Sequence, residues 1–174
     1  MRILALDLGS STGYALGHDK QFKVGTWVLE SARGMRYAKK LRMDRRLDPR
    51  VMALLNNLTQ THLESPLDYL VYEDVLFSSS TAQTQLWSSF RGAVWAFAHF
   101  NGLQTECLNT ASLKKFASGN GSAKKPDMAR ALARRDPRFR LDREEIVETL
   151  TGERLSTDAV DAAHLFLWAL TILK

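Results

Sequence analysis

The 174-residue chain has one cysteine, Cys107. An internal disulfide and a thiolate metal cage are therefore excluded, which agrees with a reducing, cytoplasmic setting. Four prolines and ten glycines are too few for a low-complexity or collagen-like chain, and no internal repeat is present. Long apolar runs are missing as well. The most apolar segments, "GAVWAFAHF" and "HLFLWALTIL", fall short of the roughly 20 residues that cross a bilayer. Asp7 interrupts the apolar opening, so the N-terminus reads as a buried strand and not as a secretory leader. No Pro/Gly-rich linker divides the chain, and its length suits one domain over residues 1–174.

Charge is present, and unevenly spread over a formal +5. Arg33 to Arg50 holds eight Lys/Arg against Asp44 and Asp48, and Lys114 to Arg140 holds nine against Asp127 and Asp136. From Asp142 to Asp161 the sign reverses, with seven carboxylates against Arg143 and Arg154. Basic tracts beside carboxylates suit a polyanionic substrate, while each tract alone also fits a solvated helix face.

Hydrophobic period orders the elements. "RILALDL" has the density of a buried strand, and "YALG", after a turn assigned to Gly9 through Gly13, pairs back on it. "FKVGTWVLE" is a third strand in which Phe22, Val24, Thr26 and Val28 alternate with Lys23 and Trp27. From about Met35 to His62 the period is helical, with Pro49 breaking or restarting the helix. "LDYLVYEDVLF" is a fourth strand. A helix over roughly Thr81 to Phe100 follows, with a stripe of Leu86, Phe90, Ala93, Val94 and Phe97. Trp95 points away from that stripe and needs a second cover, from within the monomer or from a dimer partner. "LQTECLN" is a fifth strand, "TASLKKFA" a short helix, and "SGNGS" a loop into the helix "KKPDMARALARR". In "LDREEIVETL", Asp142 and Glu145 have capping-box spacing and predict an acidic helix. The last helix begins near "STDAVDAAHLFLWAL". Three strands in succession, then alternating helices and strands, predict an α/β fold with a mixed sheet flanked by helices.

Four acids stand where solvated charges are not expected. Asp7 ends the first strand, and Glu73 lies on the face of Val71 and Val75. Asp158 and Asp161, spaced i, i+3, project from one face of a helix among Ala159, Val160, Ala162 and Ala163. Converging buried carboxylates repel one another unless they take up protons or a cation. An all-oxygen donor set favours Mg²⁺, with Mn²⁺ substituting, over zinc. Two such ions activate water and stabilise a leaving oxygen in phosphodiester cleavage. Each acid also has a plainer reading: Asp7 as a turn residue, Glu73 or Asp74 as a strand-end charge, Asp158 as a helix cap. His164 reads as an ordinary hydrogen-bonded core histidine.

The strand-end Asp with its Gly-Ser, the Glu in "VYEDVLF", the "GSAKK" loop and the terminal "DAVDAAHL" together resemble the RuvC family of Holliday-junction resolvases. The resemblance runs from Met1 to about Leu170. It implies an RNase H-like, five-stranded mixed sheet, a homodimer, and Mg²⁺-dependent cutting of branched DNA, four-way junctions above all. Asp7, Glu73, Asp158 and Asp161 fall on the family's metal-binding carboxylates. Lys114 and Lys125 match its basic residues near the scissile phosphate, and Lys125 is expected to assist catalysis. Lys115, Lys124 and Arg130 join them as DNA contacts, with Lys124 an alternative to Lys125. The family's usual Pro is replaced by Leu8. Its wedging aromatic is replaced by Leu76, with Phe77 next in line to stack on an unpaired base. The stretch Pro137 to Ser156 is longer than usual and suggests a divergent branch with relaxed choice among flaps, forks and other branches.

The opening turn also resembles that of the sugar kinase and actin superfamily, but those enzymes need a second half that 174 residues cannot supply. Two alternatives stay open: a YqgF-like nuclease of the same fold acting on RNA, and a basic DNA-binding module without catalysis.

Overall fold

Alternation along the strands sends each residue to one of two helical layers. The computed structural model describes residues 1–29, 48–75 and 80–173. Most of the first basic tract, and Leu76 and Phe77, lie outside them. Strands β1 (Ile3–Asp7), β2 (Ser11–His18) and β3 (Gln21–Val28) are antiparallel neighbours. β4 (Tyr69–Asp74) and β5 (Gln104–Asn109) add in parallel, giving the sheet order β3-β2-β1-β4-β5. The five-stranded mixed sheet expected from the sequence is the one observed.

Five helices are present among the described residues: α1 (Pro49–Glu64), α2 (Thr81–Phe100), α3 (Thr110–Ser118), α4 (Lys125–Arg135) and α5 (Thr157–Ile172). Leu4, Leu6, Leu8, Leu70 and Tyr72 point to one face and pack with Leu54 and Leu58 of α1 and Phe90, Val94 and Phe97 of α2. Ile3, Ala5, Ala15, Tyr69 and Val71 point to the other and meet α3, α4 and α5. Pro49 starts a helix, as its fixed φ and missing N–H suit a first turn, and the Asp48 carboxylate caps it by accepting from the Arg50 amide. Ser156 caps α5, accepting from the Ala159 amide at 3.1 Å, and its hydroxyl is bonded to Thr26 of β3 at 2.7 Å. Asp158 is thereby released from a capping role. His164 is fully buried, its Nε2–H donating to the Met128 carbonyl at 3.0 Å; burial pushes its pKa down to about 4. It ties α5 to α4 as a neutral core residue.

Two expectations are corrected. The stretch from Asp142 is a hairpin and not an acidic helix: β6 (Phe139–Leu141) pairs antiparallel with β7 (Val147–Thr149). Asp142 Oδ1 accepts from the amides of Glu144 and Ile146, both at 2.8 Å, an Asx turn that uses the same side chain a helix cap would use. Glu145 has φ 59°, outside the right-handed helical region. Arg154 then locks the turn from outside, 2.8 Å from Asp142 and 3.4 Å from Glu148. Second, Gly13 is not a turn residue. β2 begins at Ser11, the reversal is made by Leu8, Gly9 and Ser10, and Gly13 lies opposite Asp7 inside the ladder. Of the two covers left open for Trp95, the described residues give part of one: its indole N–H donates to Tyr72 at 2.7 Å, and 51% of its surface stays exposed.

Candidate metal centre and cleft

The parity that orders the core also orders the acids. Asp7 follows Ile3 and Ala5 on the α5 side of the sheet, and Glu73 follows Tyr69 and Val71 on the same side. The parallel register, Leu6 beside Tyr72, brings the two strand ends level. Asp74 points the other way, to Arg91 of α2 at 2.9 Å. Glu73, not Asp74, is therefore the strand residue of the site.

The helix that completes the site comes unusually close to the sheet. A Cβ placed on Gly13 would lie 1.9 Å from the Asp158 carbonyl oxygen, a distance no side chain tolerates. With alanines at 5, 15, 159, 162 and 163, Gly13 lets the first turns of α5 settle onto β1 and β2. As a result, one carboxylate oxygen each from Asp7, Glu73 and Asp161 lie within 4.8 Å of one another. Asp158, one turn earlier, stands outside this trio and lines the adjoining cleft with Asp7.

Electrostatics records the crowding. Burial, and then the charges of Glu73, Asp161 and Asp158, push Asp7 well above the usual carboxylate range. Burial also raises Glu73, against the pull of the Thr110 hydroxyl, a hydrogen bond with Asp7, and the Lys114 ammonium. Asp161 is pushed up to about 7 by burial and by Glu73 and Asp158, with Lys114 and Lys125 opposing. Such a cluster is relieved by protons or by a cation. Its donor set is all oxygen, the kind a hard divalent cation takes.

The two lysines flanking the "SGNGS" loop differ from their neighbours. Lys114 sits on α3 within electrostatic reach of Glu73 and Asp161. Lys125 donates to Thr157 Oγ1 at 3.0 Å and lines the cleft beside Asp158. Lys115 and Lys124 are exposed and line neither the cleft nor the acidic trio. Arg130 forms ion pairs with two carboxylates, 2.7 Å from Asp127 and 2.8 Å from Glu145. Phe77 lies outside the described residues. Three contributors were missed in the sequence. Thr110 donates to Glu73; it follows a β5 strand end and its Asn109 cap, a pattern shared by many helix starts. Arg50 donates to Ser10 at 2.9 Å on the cleft wall, and Trp87 lines the cleft from α2. The cleft encloses about 670 Å³.

No protein-family model and no curated protein sequence matches the chain. Solved structures do. Thermus thermophilus RuvC in complex with a Holliday junction substrate aligns over 99% of this chain and 96% of its own, at 14% identity and TM-score 0.67. A second Thermus thermophilus RuvC structure aligns over the same shares at 16% identity and TM-score 0.64. The yeast mitochondrial Holliday junction resolvase Ydc2 covers 94% of this chain and 75% of its own, at 15% identity and TM-score 0.57. The order of the sheet and the path of nearly the whole chain thus give this protein a RuvC-like fold.

Proposed function

We propose that the protein is a divalent-metal-dependent endonuclease that cuts branched DNA, with four-way junctions its preferred substrate. The observation that carries this reading is the convergence of Asp7, Glu73 and Asp161 within 4.8 Å. Carboxylates so crowded are a cost to folding that protons or a bound cation relieve, and a cation puts them to use. The likeness to a RuvC structure holding a Holliday junction substrate supports the choice of branched DNA.

In this reading Asp7, Glu73 and Asp161 hold the ions, with Asp158 completing the set from the cleft side. Bound there, Mg²⁺ supplies an activated water and charge stabilisation for phosphodiester hydrolysis. Thr110 orients Glu73 by donating to it, and Lys114 tempers the negative field from behind. Lys125, fixed by Thr157, faces a phosphate in the cleft and offsets the charge that develops on it. The basic residues around the "SGNGS" loop bind the backbone without reading sequence. Resolving a junction needs two cuts, and the half-exposed Trp95 suits a homodimer contact on α2. No described helix is long and apolar enough to cross a membrane.

The test compares synthetic junction, fork, flap, linear duplex and RNA substrates with Mg²⁺, with Mn²⁺ and with chelator. Junction nicking that outpaces linear duplex and vanishes with chelator is the expected result. Metal-independent cutting, or equal rates on linear duplex, overturns the reading; preference for RNA points to the YqgF-like alternative.

A further inference from the structure

Lys125 stands between two openings. On one side it lines the carboxylate cleft with Asp7 and Asp158. On the other it lines a cavity of about 380 Å³ with Asp161, beside Glu144 and Glu145 of the β6–β7 turn. Carboxylates of the candidate metal centre thus border the reach of one ammonium on a flexible four-carbon stem. The charge of Lys125 is felt at Asp161, where it opposes the upward push of burial and of the neighbouring acids. Among the described residues, however, Lys125 makes no ion pair. Its hydrogen bond goes to the neutral Thr157 hydroxyl at 3.0 Å.

The chemistry of a hydroxyl explains how that oxygen serves two neighbours. An ammonium only donates, so Thr157 Oγ1 accepts from Lys125 and gives its own proton elsewhere. Asp158 Oδ1, 3.3 Å away, accepts it. The backbone beneath is fixed, because Ser156 caps α5 through the Ala159 amide and bonds to Thr26 of β3 at 2.7 Å. Branching at Cβ restricts the rotamers of Thr157, so its oxygen is a rigid post at the start of α5. Lysine is the opposite, a point charge whose stem turns freely. Released from the post, the ammonium has Asp158 beside it in the cleft and Asp161 beside it in the cavity. Paired with either, it would occupy the carboxylate oxygens that a divalent ion needs.

We propose that Thr157 is a positioning residue that keeps Lys125 out of the carboxylate centre: its hydroxyl holds the ammonium at the cleft wall and stops it from competing with the divalent ion for Asp158 and Asp161. The inference rests on the metal-dependent reading above. It makes the first residue of α5 part of the site along with the acid that follows it, since one oxygen anchors Lys125 and hydrogen-bonds Asp158.

The test is Mn²⁺ binding by the intact protein without DNA, measured by isothermal titration calorimetry. Thr157→Val, a nearly isosteric change, is expected to weaken binding about tenfold, the low end of what one hydrogen bond to a charged group contributes. Thr157→Ser, which keeps the hydroxyl, should bind as the parent does. In a Lys125→Met background, Thr157→Val should leave Mn²⁺ affinity unchanged, because no ammonium remains to intrude. Nicking by Thr157→Val should recover as Mn²⁺ is raised, whereas Lys125→Met stays slow at every concentration. An equal loss of affinity in both backgrounds, parent-like affinity in Thr157→Val, or a loss in Thr157→Ser as large as in Thr157→Val overturns the positioning role and leaves the nuclease reading intact. Absence of Mn²⁺ binding by the parent overturns both.

Discussion

The two faces of the sheet are built from the same strands and serve opposite ends. Toward α1 and α2 the strands present Leu4, Leu6, Leu8 and Leu70, large side chains that hold the helices off and exclude water. Toward α5 they present Ala5, Gly13 and Ala15, so the helix descends until the Asp158 carbonyl occupies the space of a missing Cβ. The first arrangement gains stability by burying hydrocarbon, at about 25 cal/mol per Å² of apolar surface. The second gives up some of that bulk to bring carboxylates together. Close approach, more than the acids themselves, is what distinguishes the site face.

Several substitutions test that contrast. The largest effect is expected from Asp7→Asn and Asp161→Asn, which should abolish metal-dependent nicking while gel-shift binding of junctions persists. Cutting at the parent rate would remove the metal assignment. Gly13→Ala comes next: lifting α5 displaces Asp158 and Asp161, and a misplacement near 1 Å costs about 10²-fold in rate. Its counterpart on the other face, Leu6→Ala, should lower stability by about 2–5 kcal/mol in urea denaturation yet leave the rate per folded molecule unchanged. If Leu6→Ala slows the chemistry as much as Gly13→Ala, the division of labour between the faces fails.

Lys125→Ala is expected to slow nicking at saturating junction by about 10²-fold, the loss typical of one donor to a developing charge. Lys124→Ala, outside the cleft, should change binding slightly and turnover not at all. The smallest effect concerns pH and the metal-free protein. Folding raises Asp161 from 3.8 to about 7, so the folded state holds a proton that the unfolded chain has released. The stability this contributes is full below pH 3.8 and is lost as pH rises through about 7. The melting temperature of the parent should therefore fall relative to Asp161→Asn between pH 4.5 and pH 7.5, buffer values of about that size being set by the two pKa limits. Because both proteins contain the buried neutral His164, its opposite pH dependence cancels in the difference. Parallel melting curves would contradict the crowding described for the site.

Much of the fold was legible because period and parity are local properties. "ILALD" and "YLVYED" read as strands, and counting by two set Glu73 on the face of Val71; that Asp7 shares this face followed from the parallel register of β1 and β4. The i, i+3 spacing set Asp158 and Asp161 on one helix face. The acidic stretch misled for a physical reason: an Asp with a Glu three residues on satisfies amides in a helix cap or in an Asx turn. The choice fell to distant groups, among them the Leu155 amide bonding to the Val147 carbonyl at 2.8 Å and Arg154 reaching across to Asp142. Gly13 misled differently, since a glycine near a chain reversal suggests a turn until the helix pressing on it is seen.

By itself, the sequence determined the sheet's composition, the shared helix face of Asp158 and Asp161 and the absence of a thiolate metal site, because these follow from residue type and spacing. Only the tertiary structure decided that Asp161 and not Asp158 joins Asp7 and Glu73, that Lys125 and not Lys124 lines the cleft, and that Arg130 is held by its own carboxylates. Those outcomes depend on the height at which α5 meets the sheet and on which neighbours reach a charge first, and such distances are set by packing between segments far apart in the chain.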